Sequence, residues 1–307
     1  MRKRSRILLR LSLVLILGGF AWLMLRPNEP EPLYQGKPLS YWLQGFSPSY
    51  NLPRYNNPPT NANTSPTRAE AQAAVQHLGT NAIPTLLRFM STPDTSLLAE
   101  FFQLVQRQRF IHIPYTSSWE RAQEAERGFY ELGPKMVWGV PQLIQIFDQH
   151  RSRTSRQMVP DILGRINPPA KEAVPMLVKA TTDPDTFVRN NSVFALGQIH
   201  AEPALVVPAL IKCLDDPASY TRAHAARALA AFGQDARPAV PALLKLLARE
   251  GTNSAPTSAL SGMSGNFDTI RGPHPTTIPF GPFDVAGPVI SALKTIDPEA
   301  AAQAGIK

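Results

Sequence analysis

Phe129-Tyr-Glu-Leu132-Gly133, Leu163-Gly-Arg-Ile166-Asn167, Leu196-Gly-Gln-Ile199-His200 and Leu229-Ala-Ala-Phe232-Gly233 are one motif written four times between Glu120 and Glu250. Each copy places a large apolar residue and a second one three positions later. Each is followed by a Val-Pro pair whose proline stands twelve positions after the first apolar residue, at Pro141, Pro175, Pro208 and Pro241. Successive copies are offset by 34, 33 and 33 residues. A fixed period in the thirties marks a helical solenoid, in which no single unit can bury its apolar face alone. The stretch therefore dictates an all-α fold built from stacked helical hairpins, a surface suited to holding something.

The copy from Thr186 to Asp216 shows why each unit is a hairpin. Asp183-Pro184-Asp185 breaks the preceding helix and puts acid where the next helix dipole favours it. Phe187, Val188, Val193, Leu196 and Ile199 then follow the i, i+3, i+4, i+7 spacing of one helical face. Small and polar residues from His200 to Pro203 turn the chain. The second helix is expected to start near Val207-Pro208, since a first-turn proline forfeits no hydrogen bond, and to bury Leu210, Ile211 and Leu214.

The run Asp-Pro-Asp-x-x-Val-Arg, then Ala-Leu-Gly-x-Ile, then Val-Pro-x-Leu-x-x-x-Leu, resembles the HEAT repeat, including the variety of bilin-lyase-like proteins. The resemblance spans about residues 68–307 and is strongest from 120 to 250. It implies a right-handed α-solenoid of HEAT-type helical hairpins, with the second helices lining the inner surface. The helix-start arginine of such repeats matches Arg68, Arg156, Arg189 and Arg222, each seven residues before the apolar anchor; in the second unit the position is Ala122, with Arg121 one place off. Standing beside Asp-Pro turns, these arginines are expected to bridge neighbouring units. The resemblance also admits a second reading, a chromophore lyase or its accessory subunit, for which the sequence offers no catalytic constellation.

The formal charge of +8 is concentrated at one end. Six of the 31 basic residues lie within the first 26 positions, where there is no acid, so the remainder holds 25 bases against 23 acids. A body that close to neutral lacks the footprint of a nucleic-acid binder. The basic cluster precedes Ile7 to Leu25, an apolar run broken only by Arg10. Nineteen helical residues reach about 28 Å, which fits a bilayer. Residues 1–26 are read as an N-terminal transmembrane signal anchor, with residues 7–25 in the membrane, the N-terminus cytoplasmic and the solenoid extracytoplasmic (periplasmic). Gly19-Phe-Ala21 offers a cleavage site, in which case the body is secreted. With no cysteine in the leader it is not a lipoprotein, and the single Cys213 rules out an internal disulfide.

Residues 27–67 have the Pro/Asn-rich composition of a tether, interrupted by Leu39, Trp42, Leu43 and Phe46, a stripe expected to form a short capping helix over 39–46. The solenoid occupies 68–307. Leu98, Phe101, Phe102 and Val105 mark an additional amphipathic helix, and residues 251–282 form a Gly/Pro/Ser/Thr-rich insertion. The pattern resumes at Leu293 and Ile296. No convincing strand is found.

Catalytic, metal and cofactor motifs are absent. The six histidines show no ligand spacing, His200 fills the turn position that Gly133 and Gly233 fill elsewhere, and Cys213 takes the place of Leu246 and Ile146. The reading is thus of a non-enzymatic scaffold without cofactor. One row is singled out as a partner-binding ladder: Arg88, Gln145, Lys179, Lys212 and Lys245, each four residues past its second-helix proline. Its partner is expected to be a protein bearing an acidic segment, or an anionic envelope polymer.

Overall fold

A computed structural model describes residues 30–46, 66–93, 117–150, 152–167, 169–251 and 284–306. The expected anchor, the 98–105 helix and most of the 251–282 insertion lie outside the described residues. No helix among the described residues is long and apolar enough to cross a membrane.

Among the described residues six helical pairs follow one another. They are α2 (Arg68–Leu78) with α3 (Ile83–Met90), α4 (Ser118–Leu132) with α5 (Val140–Asp148), and α6 (Arg153–Gly164) with α7 (Val174–Ala180). Then come α8 (Thr186–Ile199) with α9 (Pro203–Cys213), α10 (Ser219–Ala231) with α11 (Val240–Gly251), and α12 (Ala286–Ile296) with α13 (Pro298–Gln303). At every step the first helix of a unit packs on both helices of the unit before it. Each interface is therefore shared between neighbours, as a stack of individually unstable units requires.

The motif residues are the core of that stack. Phe129, Leu163, Leu196, Leu229 and Leu293 are wholly buried, and Leu132, Ile166, Ile199, Phe232 and Ile296 nearly so. Helix starts are capped in the ways their sequences dictate. Thr67 with Glu70 and Ser117 with Glu120 form capping boxes, and the Asp185 carboxylate accepts from the Phe187 N–H at 2.9 Å. First helices are followed by a residue at positive φ at Gly79, Gly133 and Gly233, and at His200, which is left-handed with φ 49°.

Two expectations need correction. The second helix of the fourth unit begins at Pro203, with Pro208 one turn inside it. There Glu202 is left-handed (φ 51°) and its carbonyl accepts from the Val206 N–H, so Pro203 already serves as the first-turn proline. In the second and fifth units 3-10 turns, Gly133–Gly139 and Gly233–Ala239, precede the Val-Pro pair instead. Strands are also present. β1 (Leu33–Tyr34) pairs antiparallel with β2 (Lys37–Pro38) around Gln35 and Gly36, both at positive φ, the geometry of a two-residue hairpin turn. Strands of two residues are too short for alternation to reveal.

This hairpin leads into α1 (Leu39–Leu43) and a 3-10 turn, Gln44–Phe46. Leu39, Trp42, Leu43 and Phe46 are buried, and α1 packs on α2. The hairpin and α1 thus fold back onto the first unit within the stretch whose composition suggested a tether. The Trp42 indole N–H donates to the Tyr34 carbonyl at 3.1 Å, and the Tyr34 ring stands 4.9 Å from that of His77 on α2.

Candidate functional site: the second-helix face

Because the second helices of the first five units all carry a Val-Pro or Ile-Pro pair, at the helix start or, in the fourth unit, one turn inside it, equal offsets from that proline land on the same side of each. The prolines themselves, Pro84, Pro141, Pro175, Pro208 and Pro241, are all exposed. Three residues on, Leu87, Ile144, Val178, Ile211 and Leu244 are half-buried, their inner sides against the core. One residue further stands the proposed ladder. Gln145, Lys179, Lys212 and Lys245 are exposed and Arg88 is half-buried. The face is therefore three parallel rows: proline, aliphatic and mostly cationic. The sequence pointed to the third row alone. The half-exposed aliphatic row could have been found by noting that one apolar residue per second helix exceeds what a buried stripe needs.

The rungs differ in what holds them. Arg88 donates to the Glu31 carboxylate at 2.6 Å, and the other Glu31 oxygen accepts from the Ser40 N–H at the start of α1 at 2.9 Å. The first rung is thus occupied by the chain's own Pro30-Glu31-Pro32 segment. Lys179 and Lys212 make no ion pair with any described residue. Lys245 lies 3.9 Å from Asp215, which Arg249 also approaches at 3.2 Å. At such exposure and distance the Lys245 contact contributes little. Between α3 and α5 the face deepens into a groove of about 400 Å³ lined by Leu87, Arg88, Gln142, Gln145, Ile146 and Gln149, among others.

The matched arginines do something else. Arg189 donates to both Asp216 carboxylate oxygens (2.7 and 3.1 Å) and to the Asp183 and Pro184 carbonyls (2.9 and 3.2 Å). Arg222 repeats the pattern, pairing with Glu250 at 2.9 Å and donating to the Asp216 and Pro217 carbonyls at 2.9 and 3.0 Å. Arg156 pairs with the Asp183 carboxylate. Arg189 therefore ties the turn before its unit to the turn after it, Arg222 ties the turn before its unit to the end of α11, and Asp183 and Asp216 each serve two arginines in succession. Arg68, by contrast, is exposed, and Ala122 is buried where the second unit lacks the arginine.

Among the described residues no group of three or more His, Cys, Asp or Glu side chains converges on a possible metal position. Cys213 is buried, and burial pushes its thiol up to about 11, so it stays protonated and unreactive. His224, enclosed beside Phe194 and Tyr220, is held down to about 4 by burial first and by Arg227 second, and is neutral at pH 7.

A search of curated proteins returns no match to this chain. A family model described as HEAT repeats matches residues 140–207 and again 188–261, overlapping windows that start at α5 and take in the regular pairs that follow it. Over residues 140–261 the chain is thus similar to HEAT repeats, in agreement with the stacked helical pairs described there.

Proposed function

We propose that this chain is a non-enzymatic, membrane-tethered scaffold that presents its second-helix face to a protein partner on the extracytoplasmic side of a bacterial-type envelope. The observation that carries the reading is the threefold row on that face. Five helices from five units expose the same succession of proline, aliphatic and polar side chains, although only the inward residues are needed to stack them. HEAT repeats commonly serve protein–protein interaction, which agrees with a surface so repeated.

Tethering is supported by Ile7 to Leu25 and by the basic residues before them. The hairpin that closes the first unit starts a few residues after Arg26. A membrane-spanning leader would then hold the first unit within roughly 25 Å of the lipid surface, the reach of about seven extended residues. Chemical crosslinking in native membranes, followed by identification of the captured protein, tests the proposal. Capture should be abolished by changing Lys179, Lys212 and Lys245 together to Glu. Unaltered capture by that variant overturns the assignment of the face.

A further inference from the structure

We infer that the second-helix face accepts an extended acidic peptide in polyproline II conformation, with a carboxylate at every third residue; this rests on the interaction surface proposed above and specifies its ligand. Three observations lead there. First, the chain already shows one such contact, since Glu31, flanked by Pro30 and Pro32, places its carboxylate on Arg88, the first rung. A residue before proline is biased to extended backbone, so this is an acidic side chain delivered from an extended segment.

Second, the rungs that no described carboxylate holds closely, Lys179, Lys212 and Lys245, recur at one per unit. Packed helices lie about 10 Å apart, and a polyproline II chain advances about 9 Å in its three-residue turn. A ligand crossing the helices therefore meets a new lysine each time its own backbone completes a turn. A β-strand, with same-side residues about 7 Å apart, falls out of step within two rungs.

Third, the aliphatic row Val178, Ile211 and Leu244 runs beside the lysines, half-exposed, with the prolines beyond it. It offers apolar contact to the remaining two residues of each ligand turn, for which proline is suited because its conformation costs little to fix. Asp215 is the acid that opposes this arrangement, and it stands next to Arg249 at 3.2 Å.

The test is fluorescence anisotropy with the full-length protein and a labelled peptide of five Glu-Pro-Pro repeats. A peptide of the same composition with its five glutamates in one block, and inorganic polyphosphate, serve as competitors. The spaced peptide should bind about tenfold more tightly than the block peptide, and binding should weaken with salt. Lys212→Glu should weaken it by about tenfold or more and Lys212→Ala by less, with helical content unchanged because the side chain is exposed. Equal binding of the block peptide, or polyphosphate displacing the spaced peptide at matched charge, shows a generic polyanion surface and overturns the inference. No peptide binding, while Lys212→Glu still abolishes crosslinked capture of the native partner, also overturns it and leaves the proposed face standing.

Discussion

Where α6, α8 and α10 meet, the helices touch through glycine; where α4 meets α6, the same repeat position is a tyrosine. A Cβ on Gly164 would sit 2.7 Å from the Ala195 Cα, and one on Gly197 would sit 2.9 Å from the Ala228 Cβ. Those helices are in direct backbone-to-backbone contact, and the Arg189 and Arg222 clasps hold their turns. One period earlier the position is Tyr130, whose hydroxyl donates to Asp161 at 2.6 Å with Glu126 at 3.2 Å. Arg165 completes the group, 3.1 Å from Asp161 and with its guanidinium 5.6 Å from the Tyr130 ring and 5.2 Å from that of Phe194. Burial, then the two carboxylates, push the Tyr130 hydroxyl well above its usual pKa, so it remains a donor. One period length thus supports two kinds of junction, a close-packed one set by small residues, across which Asn191 donates to the Gln157 carbonyl at 2.7 Å, and one bridged by a shared hydroxyl. The close-packed kind leaves little freedom of spacing, whereas the bridged kind depends on every partner being present.

The close-packed stack should suffer most from losing a clasp. Arg189→Met strands the Asp216 carboxylate, 7% exposed, and should cost about 3 kcal/mol in urea denaturation, the usual loss when one partner of a buried pair is removed. If Arg189→Met costs no more than a surface substitution, the clasps are ornaments of the turns. Gly197→Val should follow closely, at up to about 3 kcal/mol, because the obstruction is the Ala228 Cβ and Cα, which are fixed to the helix, and not a movable side-chain end. Amide exchange in α8 and α10 should then accelerate while that in α4 does not. A uniform acceleration breaks the distinction between junctions.

Acid and alkali should separate the two ends of the array, because Glu124 on α4 and His224 on α10 occupy the same repeat position. His224 is lowered in the fold to about 4, so its contribution is complete above about pH 6.5 and is lost as pH falls toward 4, by roughly 2–3 kcal/mol. Glu124, with no hydrogen bond among the described residues, is raised to about 8 by burial first and Glu120 second. Its contribution is complete below about pH 4.5 and is lost as pH rises through 8. His224→Gln should flatten the acid limb of a stability–pH profile and Glu124→Gln the alkaline limb; exchanged effects would refute the assignment. Smallest of these, Tyr130→Phe should cost about 2 kcal/mol by leaving two buried carboxylates without their common donor. Its effect should be confined to α4 and α6.

Much of this was legible in the residues. The interval between Phe129, Leu163, Leu196 and Leu229 fixed which side chains are buried, because a stack repeats its environment at each step. The arginine clasps followed from Arg beside Asp-Pro, and the outward direction of Lys179, Lys212 and Lys245 from their place beside the apolar stripe. What escaped was decided by contacts between segments that no local pattern records. Glu31 reaches Arg88 across 57 positions, which turned a presumed free rung into an occupied one. Pro203 pre-empted Pro208 as the helix start because Glu202 adopts a left-handed conformation, unusual for glutamate. Tyr130 reads as one more apolar residue until Asp161 is placed beside it.

The clasps also say how an array of this kind can be lengthened or shortened. Asp183 and Asp216 each take one arginine on the side chain and the next on the carbonyl, so the two links are interchangeable. Excising residues 183–215 would bring Asp216 to Arg156 with the Arg222 link intact, and the seam would close as if nothing had been removed. A cut of any other size leaves a guanidinium facing the wrong turn. Growth by whole units is written into the edge of the molecule, independently of what its opposite face has come to hold.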